Sequence, residues 1–338
     1  MFFMLSWIRG CDVSNENILE VRDLHVTFDT RRGPVRAVNG LSFELKAGET
    51  LGIVGESGSG KSVSMNSVMC LVRDANVRIS GEVLFKGEDL LQLSDEQMRD
   101  LRGKEIAMVF QDPMTALTPV YTVGWHIVEQ IRLHTSLSKK QARERAIEIL
   151  DDVGIPDPKR RVDQYPHEFS GGMRQRAIIA MALALNPALL IADEPTTALD
   201  VTIQAQILDL LMKLQDQHNS SIIIITHDMG VVSEIADEVL VMYAGRPVER
   251  ASKSVLFANP EHPYTQGLMN SVPRLDRARS ERLEAIPGQP ASLLHLPTGC
   301  AFSERCPKVN DACQVVPKFL IDSHGHGAAC VLVGADDE

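Results

Sequence analysis

The sequence lacks any apolar run of the roughly 18–20 residues that a membrane-spanning helix needs. The N-terminal MFFMLSWI is apolar but short, no basic residue precedes it, and no small-residue cleavage pattern follows it. These features argue against a signal peptide, and we expect residues 1–16 to form a disordered leader. If the protein works at a membrane, it depends on the membrane helices of other subunits.

Basic residues are also scarce, with 34 Lys and Arg against 45 Asp and Glu and a formal net charge of −11. A protein that binds nucleic acid without sequence preference normally has a basic excess, so we expect no nucleic-acid partner. There are only six cysteines, and without an export signal a disulfide framework is not expected. The 338 residues, of which 44% are hydrophobic and 23% charged, suit a soluble globular protein of one or two domains.

Short apolar runs and helical segments alternate along the chain. The runs ETLGIVG (49–55), LLIAD (189–193), SIIIIT (221–226) and VLVMY (239–243) predict buried parallel strands in an α/β fold. Upstream, LEVRDLHVTF and LSFEL alternate apolar and polar residues, which predicts half-buried antiparallel strands. A helix is expected from Lys61 to about Val72, and a second begins at the capping box of Ser138 and Gln141. After about residue 270, frequent prolines predict loops and short elements.

The segment GESGSGKS follows the first apolar run and opens a helix. Gly55-x4-Gly60-Lys61-Ser62 is the spacing of a phosphate-binding loop, in which backbone N–H groups and the helix N-terminus receive phosphates. We therefore expect ATP at this loop, with Ser57 and Gly58 in its turn. Lys61 is expected to reach the β- and γ-phosphates, and the Ser62 hydroxyl to hold Mg²⁺.

Polar side chains follow three of the apolar runs. Asp193 ends LLIAD and suits Mg²⁺ through water, whereas the adjacent Glu194 suits a general base that activates water. His227 follows SIIIIT and is expected to contact the γ-phosphate. Gln111 follows IAMVF, and its amide suits Mg²⁺ or the attacking water. The carboxyl ends of parallel strands meet at one sheet edge, so we expect these residues to lie together.

A second phosphate-like element, EFSGGMRQR (168–176), is separate from the loop. The phosphate loop, Gln111, FSGGM, LLIADEP, TTALD and His227 occur in an order that resembles the nucleotide-binding subunit of an ABC transporter. In that family the second element contacts ATP held by the facing subunit. The resemblance implies trans contacts from Ser170, Gly171 and Gly172, with Asp200 of TTALD at the same interface.

The resemblance also implies a fold and domain bounds. We expect an ABC-type P-loop ATPase with a RecA-like parallel-sheet core, an N-terminal antiparallel β subdomain and a helical subdomain. The nucleotide-binding domain should span residues 17–270, with the helical subdomain at about 112–185, and a C-terminal extension should span 271–338. Phe28 is the best match to the family's adenine-stacking aromatic. Phe169 and Met173 depart from the usual Leu and Gln that flank Ser-Gly-Gly.

HPYTQGL (262–268), DPMTALTPVYTVG after Gln111 and a Cys-containing tail resemble the di- and oligopeptide importers. That branch implies a second, different ATPase subunit, two transmembrane permease subunits and an extracytoplasmic peptide-binding protein. It implies a peripheral location on the cytoplasmic face of the cell membrane and import of peptides. Some relatives carry nickel or other solutes, and this subunit does not itself contact cargo.

Other classes of protein with a phosphate loop fit the sequence less well. A chromosome-maintenance ATPase would have long heptad arms between its ATP motifs, where this chain has only residues 63–192. A tandem-cassette protein acting on ribosomes would have a second cassette. A P-loop kinase would give no role to FSGGM or His227.

The late cysteines Cys300, Cys306, Cys313 and Cys330 lie in the proline-rich tail. Thiolates select soft metals, and a tail with little core gains order from a metal. The wide spacings and the resemblance favour a [4Fe–4S] cluster, whereas zinc and free thiols stay open as alternatives. His324 and His326 lie near Cys330 and could replace a ligand in the zinc case.

Overall fold

The computed structural model describes residues 17–111, 116–197, 199–271, 286–323 and 325–333. The predicted leader, residues 1–16, therefore lies outside the described residues. The strands are β1 (Asn17–Thr30), β2 (Gly33–Lys46), β3 (Thr50–Val54), β4 (Val77–Phe85), β5 (Glu88–Asp89), β6 (Ile106–Val109), β7 (Leu189–Asp193), β8 (Ser221–Thr226), β9 (Glu238–Tyr243), β10 (Arg246–Ser252), β11 (Leu320–Ile321) and β12 (Gly327–Ala328). The helices are α1 (Lys61–Val68), α2 (Asp95–Leu101), α3 (Val123–His134), α4 (Lys139–Asp152), α5 (Pro158–Arg161), α6 (Gly171–Ala182), α7 (Val201–His218), α8 (Met229–Ile235), α9 (Lys253–Ala258) and α10 (Pro263–Asn270).

The central sheet has the order β11-β12-β10-β9-β3-β8-β7-β6. The five strands β6, β7, β8, β3 and β9 run parallel, which confirms the prediction from the apolar runs. Alternate residues of β7 enter different cores: Leu189 and Ile191 face the antiparallel sheet, and Leu190 faces the helical core. Burial of both faces explains why these strands read as continuous apolar runs rather than as alternating patterns.

The N-terminal strands form a second sheet, with the order β2-β1-β4-β5 and antiparallel pairing. Its apolar face packs on the central sheet, and Leu24, Val26 and Leu41 of this face are fully buried. The alternation of apolar and polar residues thus correctly indicated one buried face and one exposed face.

The helical part of the fold contains α3, α4, α5 and α6, and α3, α4 and α6 share a core. Helix α4 begins at Ser138 with both bonds of the capping box to Gln141, as predicted. Helix α1 ends at Val68, earlier than expected, because Cys70 takes a left-handed conformation with φ 51° that a helix cannot continue. No helix in the described ranges is both long and apolar enough to cross a membrane.

The C-terminal segment joins the central sheet. Short strand β12 pairs with β10, and β11 pairs with β12. The rest of the described segment is loops and the 3₁₀ turns Ser303–Arg305 and Asp311–Gln314, as the prolines predicted. Phe302 is buried among residues of β9 and α10, so the segment packs on the main core. The domain bounds given above stay a prediction.

Candidate active site

The phosphate loop lies between the end of β3 and the start of α1. Gly55 and Gly60 have φ of 152° and 100°, and a Cβ would stand 2.2 Å from the Met242 carbonyl oxygen at Gly55 and 2.4 Å from that of Ala37 at Gly60. Only glycine fits such close approaches, so the backbone path of the loop requires both residues. Ser57 and Gly58 lie exposed at the tip of the loop.

The Lys61 ammonium lies inside this loop and is only 5% exposed. It donates to the carbonyl oxygens of Gly55 at 2.6 Å and Glu56 at 2.9 Å. Burial lowers the pKa of Lys61, although the charges of Glu194, Asp193 and Glu56 act in the opposite direction. A cation at a helix N-terminus can receive phosphate oxygens.

Ser62 and Asp193 form the second contact of the site. The Ser62 hydroxyl donates to a carboxylate oxygen of Asp193 at 3.0 Å, across 131 positions of sequence. Burial raises the pKa of Asp193, and the hydrogen bond from Ser62 opposes that shift. A hydroxyl beside a carboxylate is the kind of oxygen pair that Mg²⁺ prefers, so these residues fit the expected metal.

Glu194 is the centre of a hydrogen-bond cluster at the end of β7. Its carboxylate accepts from Gln111 Nε2 at 2.9 Å and from Thr197 Oγ1 at 2.9 Å, and it lies 3.2 Å from His227 Nδ1. Partial burial by itself would raise the pKa of Glu194, but the bonds from Thr197 and His227 and the charges of His227 and Lys61 outweigh it and lower that pKa. The side chain is thus held ionised and fixed in direction.

The backbone of Glu194 is itself constrained. Its φ is 48°, in the left-handed region, and its N–H donates to the Ile225 carbonyl at 2.9 Å. A residue other than glycine pays roughly 1–2 kcal/mol for this conformation. Such strain is found where surrounding structure fixes a side chain in one direction, as it does here.

The second phosphate-like element lies at the start of α6. Ser170 caps the helix, and its hydroxyl accepts from the Met173 N–H at 3.3 Å. Ser170, Gly171 and Gly172 line one groove of about 470 Å³ together with Leu199 and Asp200. A Cβ built on Gly171 meets no atom within 4 Å, so this position faces open space. The described lining of the groove includes no residue of the phosphate loop.

The two departures from the usual signature have a packing role. Phe169 is 3% exposed in the core of the helical part, and Met173 packs against the same core. The Ser-Gly-Gly backbone is therefore anchored from both sides by apolar contacts.

Phe28 lies on β1 opposite Val35 and Val77 and packs against the core below the antiparallel sheet. No described contact tests its expected role, so adenine stacking at Phe28 stays a prediction.

The predicted metal site in the tail was wrong. Among the described residues, no group of three or more His, Cys, Asp or Glu side chains could hold a metal ion, and Cys300, Cys306, Cys313 and Cys330 are free thiols. Burial raises the pKa of Cys300, Cys306 and Cys330, and the charges of neighbouring cysteines act in the same direction. The absence of a metal-binding group among the described residues applies to the zinc alternative as well as to the iron–sulfur cluster. His324 lies outside the described residues.

His326, the other suggested zinc ligand, has different partners. Its Nε2 lies 2.8 Å from the Glu249 carboxylate, and its Nδ1 lies 3.6 Å from that of Glu261. His326 and Glu249 are almost fully buried, with side-chain exposures of 4% and 0%.

Sequence reasoning missed three side chains that reach the site. Thr197 belongs to TTALD but was not expected to bond Glu194. Tyr264 and Arg305 contact Glu56 of the phosphate loop. The HPYTQGL motif was a signal for Tyr264, whereas no local pattern pointed to Arg305.

Two family models match the chain. One is described as ABC transporter and covers residues 38–197, and the other is described as oligopeptide/dipeptide transporter, C-terminal region, and covers residues 248–313.

Curated relatives match along most of the chain. The probable peptide ABC transporter ATP-binding protein y4tR of Sinorhizobium fredii is 54% identical over 93% of this chain and 94% of its own length. The dipeptide transport ATP-binding protein DppD of Bacillus subtilis is 52% identical over 94% of this chain and 95% of its own length. The oligopeptide transport ATP-binding protein OppD of Salmonella typhimurium is 52% identical over 93% of both chains.

Solved structures agree with these matches. The dimeric bacterial ABC transporter cassette MJ0796 has a TM-score of 0.63 and 28% identity, covering 70% of this chain and 98% of that one. A dimeric post-hydrolysis state of the same cassette, bound to ADP and Pi, superposes with the same TM-score, identity and coverage. Identity above 50% across more than nine-tenths of the chain shows that this protein belongs to the ABC transporter ATP-binding proteins, the family whose fold was expected from its motifs.

Proposed function

We propose that the protein is the ATP-hydrolysing subunit that powers import of di- or oligopeptides across the cell membrane. The observation that carries the chemistry is the Glu194 carboxylate, held by Gln111, Thr197 and His227 next to the Ser62–Asp193 pair. The cargo class rests on the relatives named as dipeptide and oligopeptide transport proteins and on the matching C-terminal region.

The residues of the site divide the work of phosphoryl transfer. Lys61 and the loop N–H groups hold the β- and γ-phosphates, and Ser62 and Asp193 hold Mg²⁺, with Gln111 reaching it or the water. When bound, Mg²⁺ neutralises charge on the phosphoryl oxygens. Glu194 accepts the proton of the attacking water, and His227 contacts the γ-phosphate. Phe28 stacks on the adenine.

Two such subunits face each other in this proposal. Ser170, Gly171 and Gly172 donate to the γ-phosphate held by the partner, and Asp200 lies along the shared interface. The open space at Gly171 and the shared groove support this, because Ser170 and Gly171 are exposed on their own subunit. The relatives' branch suggests that the partner is a second, different ATPase.

An exposed apolar surface supports docking to membrane subunits. Tyr121 and Trp125 stack with ring centres 3.9 Å apart, and both are more than 40% exposed. Nearby in sequence, Phe110 is 43% exposed and lines a groove of about 230 Å³ with Leu71. We propose that one of the complex's two transmembrane permeases binds here, on the cytoplasmic face, and that a peptide-binding protein delivers cargo from the other side.

Reconstitution tests the proposal. The tagged subunit is purified from native membranes, the co-purifying permeases are identified, and the complex is placed in proteoliposomes with its binding protein. We expect uptake of labelled di- or oligopeptides that requires ATP and stops with Lys61→Ala. Uptake of Ni²⁺ but not peptides would replace the cargo assignment, and purification without any permease would contradict the transport role.

A further inference from the structure

Glu56, the second residue of the phosphate loop, has contacts in three directions. Its carbonyl accepts from Lys61 Nζ, which places it inside the nucleotide site. Its N–H donates to the Tyr264 hydroxyl at 2.8 Å, and its carboxylate pairs with Arg305. Both Tyr264 and Arg305 lie more than 200 positions away in sequence. One loop residue therefore joins the active-site lysine to the C-terminal part of the chain.

The ion pair between Arg305 and Glu56 is bidentate. Arg305 Nη1 donates to Glu56 Oε2 at 2.6 Å, and Nη2 donates to Oε1 at 3.0 Å. The Arg305 side chain is 4% exposed, and Glu56 raises its pKa above the usual value. Paired forks of this kind fix direction as well as distance, and removing one partner leaves a buried charge without compensation.

Arg305 is held from its own side of the pair as well. Its Nε donates to the Pro287 carbonyl at 2.8 Å, and its guanidinium lies 5.8 Å from the Tyr243 ring centre and 5.9 Å from that of Phe302. Arg305 is therefore a rigid part of the C-terminal segment, and movement of that segment would move Glu56.

The His-Pro-Tyr element supplies the second contact. His262 caps α10 by accepting from the Tyr264 N–H at 3.0 Å, and Pro263 occupies the first helical position. Tyr264 is fully buried, and its hydroxyl meets the Glu56 N–H. The three residues thus start a helix in a direction that places one phenol against the phosphate loop.

We propose that Arg305 and Tyr264 are positioning residues for nucleotide binding, acting through Glu56 to fix the phosphate loop. This rests on the proposed binding of ATP by that loop. The C-terminal segment then controls ATP affinity, and by thermodynamic linkage ATP steadies the C-terminal segment. A partner that displaces the segment would weaken nucleotide binding without touching the nucleotide.

Binding of fluorescent ATP to the purified full chain tests whether Arg305 and Tyr264 affect ATP affinity. We expect Arg305→Gln to weaken ATP affinity roughly tenfold, within the range of 5–150-fold typical of coupled sites. Arg305→Lys, which keeps the charge but loses the fork, should weaken it less, and Tyr264→Phe should weaken it through loss of the single Glu56 contact. Arg250→Gln is the matched control, since it removes an arginine that pairs with Glu238 rather than with a residue of the loop.

A double-mutant cycle separates positioning from general destabilisation. If Arg305 acts through Glu56, Arg305→Gln added to Glu56→Gln should change affinity by less than twofold. ATP affinity of folded Arg305→Gln within twofold of wild type would overturn the proposal. Failure of the wild-type chain to bind ATP would instead overturn the proposed function.

Hydrogen exchange tests the reciprocal effect, in which bound ATP stabilises the C-terminal segment. If Arg305 had only a structural role, ATP would not change exchange in that segment. We expect ATP to slow exchange of the amides of residues 300–306 in wild type and not in Glu56→Gln. If ATP leaves that exchange unchanged in wild type, the coupling does not exist. If it protects both proteins equally, Glu56 is not the link.

Discussion

Replacing Glu194 by Gln removes the charge of the general base and almost nothing else. The two side chains have the same shape, and φ of 48° costs either residue the same. In the variant, the new amide oxygen can face Gln111 and Thr197, which then still donate to it. The new amide nitrogen then faces His227. Folding and ATP binding should therefore persist.

Hydrolysis should fall sharply in the same variant. Loss of a general base costs ~10²–10⁴ in rate. At 1.36 kcal/mol per decade this is about 3–5 kcal/mol of transition-state stabilisation. Affinity for ATP should stay equal or rise, because a negative charge near the γ-phosphate has been removed.

Single-turnover phosphate release measures the effect in the assembled complex, with the partner's own site disabled. Glu234→Gln is the matched control, since it neutralises an exposed carboxylate on α8. Phosphate release by Glu194→Gln within threefold of wild type would refute the role of Glu194 as base. A large loss of ATP affinity would show instead that the substitution disturbs the site.

Three further predictions concern separate parts of the molecule. Gly171→Asp should leave ATP binding by its own loop unchanged, because the position faces open space, but should abolish ATP-dependent association with the partner in light scattering; intact association would contradict the trans role. Phe28→Ala should weaken ATP binding roughly 5–150-fold through loss of stacking, and Phe28→Tyr should restore it; unchanged affinity in Phe28→Ala would remove that assignment. Burial lowers the pKa of His262 from 6.5 to about 4. As the pH falls, the unfolded chain is therefore protonated before the folded one. The contribution of His262 to the free energy of unfolding, which is complete above pH 6.5, should fall by about 3 kcal/mol toward pH 4. His262→Asn keeps a capping oxygen and should flatten this slope in urea titrations; identical slopes would exclude His262 as the cause.

Features fixed by local pattern were predictable from the sequence. The buried strands, the phosphate loop and the capping box at Ser138 depend on residues within a few positions of each other. The cluster around Glu194 was also predictable, because Gln111, Glu194 and His227 each follow a parallel strand and such strands end at one edge. The contact of Thr197 could not be predicted in this way. Thr197 follows Glu194 in a turn, and the shape of that turn depends on the left-handed φ of Glu194.

Contacts between distant parts of the chain were not predictable in this way. The tail was expected to be ordered by a metal because its prolines left it little core. Its order comes instead from the main core, where Phe302 is buried and Arg305 pairs with Glu56. The Cys300 N–H also donates to the Cys313 carbonyl at 2.9 Å, so the backbone closes that loop. Counting thiols along the chain gives the number of available ligands, but a metal site also requires thiolates at fixed angles. Packing of Phe302 and the Arg305–Glu56 ion pair order this part of the tail, which removes the reason for expecting a metal at the four cysteines.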